Sequence, residues 1–139
     1  MLVQKGISTF SDRIPKVISP KAHAIADYAA IGGLMVMAAV LWKRHRRAAI
    51  AAAICAGGEA ANTLLTDYPG GVAGVLSFHA HGNIDAGLGA TASALPNFLQ
   101  FANQPEAKFF RIMGLSITLI REMTEFKAPR RRPYLTKSA

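Results

Sequence analysis

Two short stretches carry side chains that could do chemistry. SPKAHAIADYAAIGG, residues 19–33, places His23 and Asp27 four residues apart in an otherwise apolar run. SFHAHGNIDAGLGAT, residues 77–91, repeats that spacing with His81 and Asp85. In a helix, spacing four puts both groups on one face. A histidine near a helix N-terminus is held neutral by the dipole, and the neutral ring is the ligand form. Two such rings on facing helices could clamp the iron of a haem b. Histidine with carboxylates could instead hold a divalent metal. Asp27, Glu59 and Asp85 could also line a proton or small-solute path. The plainest use is polar glue, with each histidine and acid hydrogen-bonding across helices and Asp85 or Glu59 pairing Arg121. Nothing resembles a nucleophile–histidine–acid set, a phosphate loop or a cysteine metal motif, so a non-catalytic protein is expected.

Four apolar segments must position these groups, at 22–42, 48–65, 79–101 and 109–126. Ser19 then Pro20 makes a good N-cap and first turn, and Ser77 is a cap for the third segment. Lys43, Arg44, His45, Arg46 and Arg47 end the first segment. TDYPGG ends the second, with Pro69 and Gly70 suited to the centre of a type II turn. Pro96 kinks or closes the third. A bilayer core needs about 20 mostly apolar residues. The first segment meets that requirement, while Asp85, Arg111, Arg121 and Glu122 make the third and fourth marginal. Segments one to three lack the charged stripe of a soluble amphipathic helix. Small residues take its place, with Ala52, Ala56 and Ala60 at spacing four and Gly87, Gly89 and Ala90 close together. Membrane helices approach one another through such residues.

An offset of 58 maps His23 to His81, Asp27 to Asp85, Ser19 to Ser77, Thr66 to Thr124 and Tyr68 to Phe126. Two copies of a helical hairpin follow, 19–68 and 77–126. The expected fold is therefore all-α: a transmembrane four-helix bundle of two tandem hairpins with an axis along the membrane normal. An N-terminal segment, 1–18, precedes it and a basic tail, 127–139, follows. Each histidine lies about 6 Å inside its cap, each aspartate about 12 Å, Glu59 about 10 Å and Arg121 about 5 Å, all from the same end. Helices one and three are diagonal across such a bundle. The two His–Asp faces are thus expected to meet, with Glu59 and Arg121 close by. Glu59 maps to Ile117, so the halves are not equivalent there. Trp42 and Tyr68 are expected at the interface as aromatic anchors, and His79 among the headgroups.

His-x3-Asp opening each odd helix, the TDYPGG turn and a late proline before NFLQF together resemble the bacterial SPW-repeat membrane proteins over roughly residues 19–126. Leu95-Pro96-Asn97 stands where that family carries its name-giving triplet. The resemblance implies an integral protein of the bacterial inner membrane with no settled activity.

The chain has 139 residues, 51% of them hydrophobic and 17% charged, with a net charge of +8. The cations sit at the ends of apolar runs, with no interleaved aromatic platform, which speaks against nucleic acid. They fit membrane flanks. Cys55 is the single cysteine, which excludes an intramolecular disulfide. Residues 1–18 are mixed and charged, so no cleavable signal peptide is expected. Ten Lys/Arg on the side of the termini against six on the loop side place both termini in the cytoplasm by the positive-inside rule, although the dense KRHRR loop argues the other way. Arg130, Arg131 and Arg132 in KAPRRRPYLTK suit anionic headgroups or a partner. These features point to a small accessory or scaffold subunit, acting in the lipid bilayer as a homo-oligomer or within a larger membrane complex.

Overall fold

The computed structural model describes residues 13–126. The basic tail with Arg130, Arg131 and Arg132, and the first twelve residues, lie outside the described part. Four long helices dominate: α1 (Pro20–Leu41), α2 (Arg46–Leu65), α3 (Phe78–Phe98) and α4 (Glu106–Met123). Two short strands, β1 (Thr66–Asp67) and β2 (Leu76–Ser77), lie between α2 and α3. The protein is thus mostly helical, as its composition implies. Helix α1 packs along α2, α3 along α4, and α2 against α3.

The helix starts follow their caps. Ser19 accepts from the Ala22 amide at 3.2 Å and Ser77 from the Ala80 amide at 3.1 Å, satisfying one orphan donor in each first turn. KRHRR does not merely end α1. His45 Nδ1 accepts from the Ala48 amide at 3.3 Å and caps α2, so Arg46 and Arg47 already belong to that helix. Helix α3 ends at Phe98, with Pro96 in its last turn. Gln100 then takes a left-handed φ of 58° and the Phe101 amide bonds Pro96 O at 2.8 Å. Helix α4 starts three residues before the expected 109 and stops at Met123, because Thr124 leaves it to pair with Ile18 in a parallel bridge.

That bridge has a twin. Thr66 pairs with Leu76 and Asp67 with Ser77, also in parallel. Thr66 and Thr124 are 58 apart, and so are Ile18 and Leu76. Each pairing thereby ties the end of an even helix to the start of an odd one. The TDYPGG turn corrects one expectation. The Gly71 amide bonds Tyr68 O at 3.0 Å, so Pro69 and Gly70 are central. Among the described glycines only Gly74 has positive φ, so the turn is not type II, which needs positive φ at Gly70. Gly70 is required by space instead: a Cβ there would lie 2.7 Å from Ala24 Cβ.

The core away from the strands is Leu34, Leu41, the alanines of α2, Ala92, Leu95, Phe101 and Phe110. Helices α3 and α4 touch through backbone: a Cβ on Gly114 would lie 2.4 Å from Gly89 O. Outward faces carry Ile25, Met35, Val36 and Val40 on α1, Ile50 and Ile54 on α2, Ile84 on α3, and Ile112, Leu115 and Leu119 on α4. Helices α1 and α2 are each long and apolar enough to cross a membrane, and only 22% of the apolar window in α1 is buried.

Candidate functional site

The polar groups singled out in the sequence meet at the strand end of the helices. His23, Asp27, Glu59, His81 and Asp85 are all buried, none more than 4% exposed. His23 Nε2 and His81 Nε2 are 3.1 Å apart. His23 Nε2 lies 3.4 Å from Asp27 Oδ1 and 3.1 Å from Asp85 Oδ2. His81 Nε2 lies 3.5 Å from Asp27 Oδ2 and 3.2 Å from Asp85 Oδ2. Each histidine therefore faces its own aspartate and that of the other hairpin. Ligand atoms from His23, Asp27 and His81 all fall within 4.8 Å of one another.

Outer partners hold both histidines and both aspartates. His23 Nδ1 is 2.7 Å from Thr124 Oγ1, and His81 Nδ1 is 3.0 Å from Thr66 Oγ1. Thr124 Oγ1 in turn donates to Ile120 O at 2.6 Å, and Thr66 Oγ1 to Asn62 O at 2.6 Å. Tyr68 donates to Asp27 Oδ2 at 2.6 Å, and Asn62 Nδ2 to Asp85 Oδ1 at 2.8 Å. Aromatic rings close the strand side. Phe78 stacks on Tyr68, and Phe126 lies 5.7 Å from the His23 ring, centre to centre. Gly82 makes room for Phe126, since a Cβ there would sit 2.6 Å from the ring.

Two expectations change. Tyr68 is not an interface anchor; it turns inward onto Asp27. Burial, then the hydrogen bond to Asp27, raises the pKa of its phenol above the ordinary tyrosine value. Arg121 does not join the cluster. It pairs with Glu122, donates to Gly82 O at 3.0 Å and reaches Asn83 Oδ1 at 3.4 Å. Its long stem lets the guanidinium leave the apolar interior for the rim. Trp42 is exposed, with Arg46 4.1 Å over its ring, and His79 is exposed.

Glu59 stands apart from the hydrogen-bonded set. Its Oε2 is buried without a partner. It lines a cavity of about 20 Å³ together with His23, Asp27, Asp85, Ile117 and Ile120. That volume suits one water molecule. It does not suit a porphyrin, which would have to lie between the two histidine nitrogens; at 3.1 Å these leave no room for it. A divalent ion is the only one of the two expected cofactors that the space admits. Past Glu59 the interior is Cys55 and the buried alanines of α2, with Phe101 and Phe110. Among the described residues no carboxylate or histidine is buried beyond Glu59; His45, against Phe101, is half-buried at the far end.

The sequence missed Asn62, Thr66 and Thr124 as partners of the cluster. Thr66 and Thr124 were already matched by the offset of 58, which was the available signal. Comparison with family models, curated proteins and solved structures finds no match for this chain.

Proposed function

We propose that this is a small integral membrane protein of two tandem hairpins, acting as an accessory or scaffold subunit. One observation carries the membrane reading. Away from the helix ends the carboxylates are Asp27, Glu59 and Asp85, and all three face inward. The outward face of α1 carries Ile25, Met35, Val36 and Val40, and that of α2 carries Ile50, Ile54, Leu64 and Leu65. A water-soluble bundle has the reverse arrangement. A carboxylate facing lipid at mid-bilayer costs about 2.5–3.5 kcal/mol on insertion scales, so such groups turn inward and find partners. Helices α3 and α4 add Ile84, Ile112, Leu115 and Leu119 to that surface, with Lys108 and Arg111 exposed near the start of α4; in this reading they complete the four spans.

The duplication is supported by contacts that recur at the offset of 58: the serine caps, the strand pairings, and the histidine–threonine–carbonyl chains. In this reading the two halves are related by an axis through the His23–His81 contact. The resemblance to SPW-repeat proteins agrees with a bacterial inner-membrane location, and the positive-inside rule with cytoplasmic termini. The buried cluster fixes which helices pack together, and the apolar exterior meets lipid or a partner subunit.

Alkaline carbonate extraction tests the first claim: the chain should stay in the membrane pellet, and its release would refute the reading. Gentle-detergent purification tests the second. A defined oligomer or a complex with another membrane protein is expected, whereas a strict monomer with no lipid preference would argue against a scaffold.

A further inference from the structure

We propose that His23 and His81, with Asp27 and Asp85, bind one divalent first-row transition metal ion where the two hairpins meet. The inference goes beyond the scaffold reading and rests on side-chain geometry alone, so it holds whichever partner the exterior meets.

The tautomers come first. A threonine hydroxyl has one proton to give. Thr124 and Thr66 give theirs to carbonyls at 2.6 Å. Each oxygen can then only accept from the imidazole at its other side, so Nδ1 of both histidines carries a proton. The neutral form of such a ring presents a bare lone pair at Nε2. The two Nε2 atoms are 3.1 Å apart; Asp85 Oδ2 lies 3.1–3.2 Å from both, and Asp27 reaches them with one oxygen each, Oδ1 at 3.4 Å from His23 and Oδ2 at 3.5 Å from His81. Four electron-rich groups converge with no donor between them. A cation at the centre removes that conflict.

The spacing agrees. Metal–ligand bonds of about 2.0–2.2 Å place neighbouring ligand atoms roughly 2.9–3.5 Å apart in octahedral or tetrahedral geometry. All five distances that involve a histidine nitrogen fall in that interval. The outer shell is also complete, with one hydrogen-bond partner each: Thr124, Thr66, Tyr68 and Asn62. Resident metal sites are oriented in this way. Two carboxylates and one divalent ion sum to zero charge, which suits a centre sealed by Phe78 and Phe126. Mixed imidazole and carboxylate ligands select zinc, iron, manganese or cobalt over calcium or magnesium. The cavity beside Glu59 would admit one water as a further ligand.

The competing arrangement replaces the metal with extra protons on Nε2, making imidazolium–carboxylate pairs. The test uses the full chain purified in detergent, stripped with chelator, then titrated with Zn²⁺ and, separately, Co²⁺. One ion per chain is expected, with visible Co²⁺ ligand-field bands and a higher melting temperature on loading. His23→Ala and His81→Ala should each abolish binding. Thr66→Val and Thr124→Val should each weaken it about 10–100-fold while keeping the helical signal; if the histidine variants fail to fold, this pair decides. His45→Ala and His79→Ala should leave binding unchanged. A folded, stripped wild type that takes up neither ion overturns the proposal. So does binding that survives undiminished in His81→Ala or in both threonine variants, since that would place the ion elsewhere on the chain.

Discussion

One methyl group, added at two glycines, should move stability in opposite directions. Gly33 lies on the open side of α1, and a Cβ there meets nothing within 4 Å. Gly33→Ala therefore gains only the helix preference of alanine, about 0.5–1 kcal/mol. Gly114 lies where α3 and α4 touch. A Cβ there falls 2.1 Å from Ser93 Oγ and 2.4 Å from Gly89 O. The serine can rotate away; the carbonyl belongs to the backbone of α3 and cannot. An ordinary carbon–oxygen contact is about 3.3–3.6 Å, so the helices must part by roughly 1 Å. Overpacking of that kind costs about 1–3 kcal/mol. The same alanine preference offsets part of it and leaves a net loss of up to about 2.5 kcal/mol. Because that preference is common to both, the two variants should differ by the overpacking cost, about 1–3 kcal/mol, in reversible unfolding from mixed micelles. If Gly114→Ala unfolds at or above wild type, the close approach of α3 and α4 is wrong. If Gly33→Ala is as damaging as Gly114→Ala, the open face of α1 is wrong.

Ser19→Ala and Ser77→Ala should each cost about 0.5–2 kcal/mol, and by similar amounts, because the two caps are equivalent; unequal losses in chemical unfolding would separate the halves. Gln100→Gly should stabilise by about 0.5–1 kcal/mol, since φ of 58° is strained for glutamine and free for glycine, and a lower unfolding midpoint would show a side-chain role there. Tyr68→Phe should cost about 1–2 kcal/mol through the lost bond to Asp27, read as a drop in melting temperature. Tyr68 also sets a pH dependence. Below about pH 10 its phenol is protonated both folded and unfolded, so it contributes no slope. Above that, only the unfolded chain loses the proton, and stability falls as pH rises. Tyr68→Phe should remove that share of the alkaline decline, and an unchanged alkaline slope would contradict the burial of this ring.

Most of the helical layout was legible because its signals are local. The serine caps, Pro96 and the run of apolar residues act within a few positions of themselves. The meeting of His23 with His81 was legible from the offset of 58 and the shared depth along the helices. Other features depended on three-dimensional choices with no local signature. An arginine near a helix end can pair inward or reach the rim, and the backbone carbonyl of Gly82 with Glu122 next door decided this for Arg121. A tyrosine in a turn can face lipid or core, and an unfilled acceptor on Asp27 drew Tyr68 inward. Thr66 and Thr124 look like ordinary helix-ending residues. Only the fold reveals that each hydroxyl spans a carbonyl and an imidazole. Helix α4 ends short of its apolar run because Thr124 is claimed by Ile18, more than a hundred positions away.

The pairing of Ile18 with Thr124 brings chain positions from opposite ends of the described structure to adjacent backbone, with Ile18 N bonded to Met123 O at 2.9 Å and Glu125 N to Ile18 O at 3.0 Å. The equivalent pairing at Thr66 and Leu76 is made across a short loop that the chain itself supplies. One of the two seams is therefore stitched by covalent chain and the other only by hydrogen bonds. Which seam carries the chain is, geometrically, interchangeable. A permuted gene that opens the loop between residues 70 and 74 and joins residue 126 to residue 13 through a short linker would present the same four helices in the order α3, α4, α1, α2. Chain order would be inverted, while each histidine would keep its threonine and its facing acid.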